Sequence, residues 1–199
     1  FDEILRPTVK KINDLHISGK VLASEKQLAF NALSNGVVLF SDTIHKPASN
    51  DRKAICAMVE SDLDDIELKA LVALLDNRGF EVLNLGTSAG TESIAQLAKN
   101  KQPHFVFLVA SRVANGDALA DEHRKIQLEL RMFGGKLIVG GVGYTKELLA
   151  NTLSGLYDKF CTSFKEFAMI EHGKNNPGNE STQRRESMNN DQSSMTKEQ

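Results

Sequence analysis

Apolar positions along the chain follow two different periods. Near the start, in FDEILRPTVKKINDLHISGK, Ile4, Leu5, Val9, Ile12 and Leu15 recur at three- to four-residue spacing; after Ser18-Gly19 the pattern resumes at Leu22, Leu28, Ala29, Ala32 and Leu33. This is the helical period, and it predicts helices over residues 1–17 and 22–40. Ser24 followed by Gln27 fits a capping box at the start of the second helix. Two helices alone cannot enclose a core, so they must pack on the remainder of the chain. The chain opens at Phe1, without methionine, inside the first of these helical patterns. The expectation is a partial helical cap over 1–47 whose N-terminal portion lies upstream.

HKPASNDR, with Pro47, Ser49, Asn50 and Asp51, breaks the pattern and predicts a linker at 48–52. Beyond it the period changes. Short apolar runs, KAICAMV (53–59), EVLNL (81–85), HFVFLVA (104–110), KLIVG (136–140) and KFCT (159–162), alternate with helical segments near 62–78, 91–100, 116–133, 145–153 and 163–171. Ser163 and Glu166 make another capping-box pair. Strands alternating with helices of this length imply βαβ crossovers. The expected fold over 53–172 is therefore α/β, a Rossmann-like or flavodoxin-like five-stranded parallel sheet flanked by helices. From 173 to 199 the sequence contains no Leu, Ile, Val or Phe and predicts a disordered tail. The sequon-like Asn-Glu-Ser at 179–181 carries no weight there.

Composition narrows the function classes. Of the 199 residues, 41% are hydrophobic and 25% charged, and the formal net charge of −2 gives no electrostatic reason to expect nucleic-acid binding by this segment. Cys56 and Cys161 form no metal-type spacing and sit in apolar strand contexts, so buried reduced thiols are expected. No apolar run approaches a membrane span and no signal peptide precedes the first helix, which reads as a cytoplasmic protein without membrane contact.

In doubly wound sheets, ligands bind outside the carboxyl ends of the strands. Those ends are Glu60–Asp65, Gly86–Gly90, Ser111–Gly116 and Gly140–Gly143. Gly86, Ser88 and Gly90 allow close backbone approach, Thr91 is placed to cap a helix, and Gly140, Gly141 and Gly143 would let a flat group lie against the backbone. The acidic run Asp62, Asp64, Asp65 also suits the positive end of the following helix. A phosphoryl-accepting receiver would need an aspartate closing the third strand, where Ser111 stands. A dinucleotide site would need glycines after the first strand, where VESDLDD has none.

These strand ends resemble the cobalamin-binding domain family, in the form found in corrinoid proteins and in cobalamin-sensing MerR-type regulators. The resemblance covers about residues 1–171. The family's motif after the first strand, Asp-x-His-x-x-Gly, falls on Asp62-Leu63-Asp64-Asp65-Ile66-Glu67, so the aspartate is kept while Asp64 replaces the cobalt-coordinating histidine and Glu67 the glycine. Its Ser-x-Leu falls on Ser111-Arg112-Val113, and its Gly-Gly is intact as Gly140-Gly141. In the cap, alignment on Gly19 puts His16 at the tryptophan that stacks over the corrin and Lys26-Gln27 at the Glu-His pair. The resemblance implies cobalamin as cofactor, with Asp62, Asp64, Gly86, Ser88, Ser111, Val113, Gly140, Gly141 and His16 around it and no protein metal ligand.

Other histidines offer no metal site. His45 and His104 are expected to be solvated, and His123, within the charged helix DALADEHRKIQLELR, is expected on the surface. The leading expectation is a non-enzymatic ligand-sensing module of a transcriptional regulator, reaching DNA only through an upstream domain and forming a homo-oligomer. A corrinoid carrier for methyl transfer is the alternative, ranked lower because the axial histidine is replaced. A heme-binding variant and a ligand-free interaction domain complete the readings.

Overall fold

The computed structural model describes residues 1–44, 47–60, 62–87 and 89–170. The segment 173–199, His45 and Ser88 lie outside the described residues. Phe1–Met169 form one compact unit. Its elements are α1 (Leu5–Ile17), α2 (Ala23–Thr43), β1 (Lys53–Met58), α3 (Ile66–Asp76), β2 (Glu81–Gly86), α4 (Thr91–Lys101), β3 (Phe105–Val109), α5 (Gly116–Arg131), β4 (Lys136–Gly140), α6 (Lys146–Asn151), β5 (Lys159–Cys161) and α7 (Phe164–Ala168). The strands pair in parallel in the order β2-β1-β3-β4-β5, the flavodoxin-like one of the two arrangements that the alternating pattern leaves open.

The central strands read as continuous apolar runs because both of their faces are covered. Ile55, Ala57, Val106, Leu108, Leu137 and Val139 point to one face, where Ile94, Ile126, Leu130 and Leu149 of α4, α5 and α6 close over them. Their alternates, Cys56, Met58 and Phe107, are fully buried on the other face. There Phe107 meets Phe167 of α7 with ring centroids 5.9 Å apart. Cys56 and Cys161 are free and buried, as expected.

On this second side α2 packs across α3, and Lys69 Nζ donates to Ser34 Oγ at 2.6 Å between them. The start of the chain is tied to α7: the Asp2 carboxylate accepts from the backbone N–H groups of Phe164 and Lys165, both at 2.9 Å. Arg6 lies over the Phe164 ring, 4.7 Å from its centroid, and donates to the Thr162 carbonyl.

Several local expectations shift. The cap of α2 is built two residues earlier than Ser24 and Gln27 suggest, with the Glu25 carboxylate accepting from Leu22 N at 2.8 Å. Ser163 does cap α7, accepting from Glu166 N at 3.1 Å. Thr91 caps nothing; Gly90 takes that position, and the Thr91 hydroxyl donates to Glu60 Oε2 at 3.3 Å. His123, expected on the surface, is fully buried, its Nε2 3.0 Å from the Tyr144 hydroxyl. The charged letters around it hid the apolar stripe of α5 (Leu119, Ile126, Leu130), on whose face it lies.

Candidate functional site

β1 and β3 are neighbours, yet the chain leaves them in opposite directions, so the crevice between their carboxyl ends is the topological switch point of the sheet. Asp62 fills it from the β1–α3 loop. Its carboxylate accepts from the Ser111 hydroxyl at 2.7 Å, from Ser111 N, and from Arg112 N at 3.0 Å. Asp62 is 4% exposed. A carboxylate spent this way cannot also cap α3, which is why that helix begins at Ile66 rather than Asp62 and Asp65 stands at its start without a side-chain cap bond.

Above this crevice opens a cleft of about 1080 Å³. The rim supplies Asp62, Leu63, Asp64, Thr87, Ser111, Arg112 and Val142; α1 supplies Arg6, Val9, Lys10 and Asn13; α2 supplies Lys26, Gln27, Phe30, Asn31 and Ser34. The helical pair therefore forms one wall of the cleft. Leu63 and Val142 are 77% and 69% exposed, apolar side chains left uncovered at the rim. Burial raises the Asp64 carboxyl above its ordinary range, partly offset by the Ile66 amide.

At the inner edge of the cleft, Glu67 is 8% exposed and pairs with Arg6, whose Nε lies 3.2 Å from Glu67 Oε1. That N–H is not aimed at the carboxylate, and Arg6 Nε and Glu67 Oε2 keep no hydrogen-bond partner. Burial pushes the Glu67 carboxyl up, and the Arg6 charge pulls it back.

Asp62, Asp64 and Ser111 are thus brought together. The other expected residues are not. Gly86 turns the chain after β2 with φ +69 and faces open space, while its neighbour Thr87 lines the cleft. Val113 packs into the core on the opposite face of the sheet. A Cβ on Gly140 would stand 2.3 Å from Phe167 Cζ, and one on Gly141, at φ +105, 2.3 Å from the Ala110 carbonyl oxygen. Both glycines serve internal packing rather than a groove. His16 ends α1 away from the cleft, its Nδ1 3.0 Å from Val21 O. Ser88 falls outside the described residues. Arg6, Lys10, Asn13, Asn31 and Ser34 escaped the sequence reading, although Arg6, Lys10, Asn13 and Gln27, Asn31, Ser34 each recur every three to four residues as a polar stripe; Lys26 and Gln27, placed by the resemblance at the cap's Glu-His pair, do line the cleft. Such stripes were the available signal for a helix facing a polar cleft.

A parallel sheet with a large cleft at its switch point and a helical wall over it defines a ligand-holding α/β domain. The B12 binding domain family model matches residues 52–166, and the chain belongs to that family. Monomethylamine corrinoid protein 2 of Methanosarcina acetivorans is 24% identical over 142 residues, 66% of this chain; the chain spans 65% of that relative's length. Among solved structures, the monomethylamine corrinoid protein of Methanosarcina barkeri superposes with a TM-score of 0.69 at 20% identity, covering 82% of this chain and 77% of that one. A cobalamin-binding protein from Desulfitobacterium hafniense DCB-2 gives 0.52 at 24% identity, over 81% and 75%. These likenesses show the fold.

Cobalamin is thus the cofactor of the family, and the cleft can be tested against it. Its volume of about 1080 Å³ lies just above the ~300–1,000 Å³ range of small-molecule pockets, enough for a macrocycle. Leu63 and Val142 offer apolar cover, and Lys26, Gln27, Asn31, Thr87 and Arg112 offer donors suited to peripheral amides. The macrocycle fits. A protein-supplied imidazole does not, because no described histidine lines the cleft, whose acidic turn carries Asp62, Asp64 and Asp65 instead. No described helix is long and apolar enough to cross a membrane.

Proposed function

We propose that this chain is a corrinoid carrier module, which holds cobalamin in the cleft and presents it to a separate methyl-transferring enzyme. The observation that carries the proposal is the cleft itself, floored by the Asp62–Ser111 bonds at the switch point and walled by α1 and α2. The sequence relative and the structural neighbour with the higher TM-score both bear the name monomethylamine corrinoid protein. The regulatory reading, with its DNA-binding partner, draws no such support.

When bound, the cobalt centre accepts and gives up a methyl group. The residues of this chain do the holding. Asp62 fixes the β1–α3 and β3–α5 loops to each other, so the floor of the cleft is set before a ligand arrives. Asp64 would offer a carboxylate to a macrocycle held in the cleft, and the α1–α2 wall would limit the approach of water from one side.

The proposal is tested by incubating the chain with aquocobalamin, removing excess by gel filtration, and reducing and methylating the retained corrinoid with methyl iodide. The expected result is a stoichiometric complex that keeps the methylated corrinoid and yields the methyl group only when a methyltransferase is added. A chain that retains no corrinoid fails the proposal. One that spends the methyl group unaided is a catalyst rather than a carrier.

A further inference from the structure

Most of the ionised side chains that line the cleft are already spent within the protein. Arg6 pairs with Glu67 and Asp2, Lys10 with Asp14, and Lys69 with Asp65. Asp62 gives its carboxylate to the hydroxyl and N–H of Ser111 and to Arg112 N. Lys26 has no ion pair among the described residues, but its ammonium lies 5.1 Å from the centroid of the Phe30 ring. Its charge also reaches Asp64, where burial raises the carboxyl and the Ile66 amide and Lys26 pull against it.

Arg112 is different. It lines the cleft, yet among the described residues its guanidinium has no ion pair, no hydrogen bond and no aromatic ring beneath it. Its backbone, by contrast, is held on both sides. Asp62 accepts from Arg112 N at 3.0 Å, and a Cβ on Gly143 would stand 2.9 Å from the same nitrogen. The root of the side chain is therefore fixed on the rim at the switch point, while all of its donors are left for something else.

An arginine keeps its charge at every working pH, and its planar fork matches a pair of phosphate oxygens. The peripheral amides of a corrin macrocycle are neutral and call for no cation. A complete corrinoid carries an anionic group outside the macrocycle, the phosphodiester that joins it to the base of its nucleotide tail. We infer that Arg112 receives this phosphodiester and makes the cleft selective for corrinoids that carry a nucleotide tail. The inference deepens the carrier reading and rests on its ligand. Arg112 then decides which corrinoid is held, and takes no part in moving the methyl group.

The test uses the full chain with two probes, methylcobalamin and methylcobinamide, the second lacking the nucleotide tail. Dissociation constants are measured by equilibrium dialysis for the wild type and for Arg112→Gln, at low and at high salt. The wild type is expected to hold methylcobalamin about tenfold more tightly, as one charge-assisted contact allows. Arg112→Gln should shrink that preference by more than about threefold, and high salt should weaken it in the wild type, because a contact at an open rim is screened. The phosphorus NMR signal of bound methylcobalamin should also move between wild type and variant. A wild type without the preference, a preference that survives Arg112→Gln, or a phosphorus signal that stays in place overturns the inference while leaving the carrier reading standing. Binding of neither probe overturns both.

Discussion

Asp62 and Ser111 are 49 residues apart in sequence, and the carboxylate of the first takes both the hydroxyl and the backbone N–H of the second. One side chain thereby joins the loops after the two central strands at the point where the sheet reverses its winding. The bond is local to the cleft floor but not to the chain, and it makes the floor a single rigid piece.

Replacing Asp62 by alanine should leave the N–H groups of Ser111 and Arg112 without an acceptor in a nearly buried place. The expected loss is about 2–4 kcal/mol, since each buried donor left unsatisfied costs ~1–3 kcal/mol. Urea denaturation measures it. Ser111→Ala, which removes only the hydroxyl, should cost less than half as much. Equal losses would mean that the backbone bonds contribute nothing.

Arg6 and Glu67 form a second tie, between α1 and α3. Arg6→Met alone strands a buried carboxylate and should destabilise by roughly 3 kcal/mol, as broken buried pairs do. The double variant Arg6→Met with Glu67→Leu should recover most of that loss. A double-mutant cycle reads the coupling, and additive losses would show the pair to be idle.

Gly141 invites a misreading as a ligand groove. With φ +105 and its Cβ position against the Ala110 carbonyl, Gly141→Val strains the backbone before any ligand is present. It should lower thermal stability by more than about 2 kcal/mol at the midpoint in the ligand-free protein. An unchanged melting curve, with corrinoid binding lost, would restore the groove.

Two adjacent buried groups give the stability–pH profile opposing slopes. Burial pushes the Glu122 carboxyl up to about 7, a shift the Glu60 amide opposes and the Glu60 charge reinforces. The folded state then binds the extra proton, so Glu122 lowers stability as pH rises from the ordinary carboxylate range to about 7. Burial lowers the His123 imidazole to about 4, and there the unfolded state binds the extra proton, so stability rises with pH from about 4 to the ordinary imidazole range. Between pH ~5 and ~6.5 the two slopes oppose, and the contributions of Glu122 and His123 should nearly cancel in the wild type. Glu122→Gln should unmask the histidine: stability then climbs with pH across that window, by something on the order of 2 kcal/mol. A flat profile in the variant would refute the His123 contribution.

Asp64→His should supply the missing donor. In the cobinamide complex of that variant a nitrogen triplet is expected in the Co(II) resonance, absent from wild type. Failure of the triplet to appear would show that position 64 does not lie beneath the metal.

The parallel sheet and the two-sided burial of its strands were legible because period and run length carry them, as in FVFLV, which is covered on both sides; strand order was not, since two windings share the same alternation. The switch-point pair was legible too, since the strand ends put Asp62 and Ser111 on one rim. The glycines misled for a physical reason. A glycine at a strand end reports that something stands close, and nothing in the letters says whether that is a ligand or Phe167, 27 residues further on from Gly140. His123 misled because its neighbours Asp121, Glu122, Arg124 and Lys125 are charged, while the face it shares is set by residues three and seven positions away, Ile126 and Leu130. Arg6 was invisible for the same reason in reverse: its partners, Thr162 and Phe164, lie near the far end of the folded unit.

That last arrangement also bears on how the domain can be re-engineered. Because Asp2 holds the N–H groups of Phe164 and Lys165, the first and last elements of the compact unit are neighbours in space. The order in which the chain is synthesised is then a detail the fold does not depend on. A circular permutant, with Met169 joined to Phe1 by a short flexible linker and new ends opened between Pro47 and Asn50, should reach the same sheet and the same cleft.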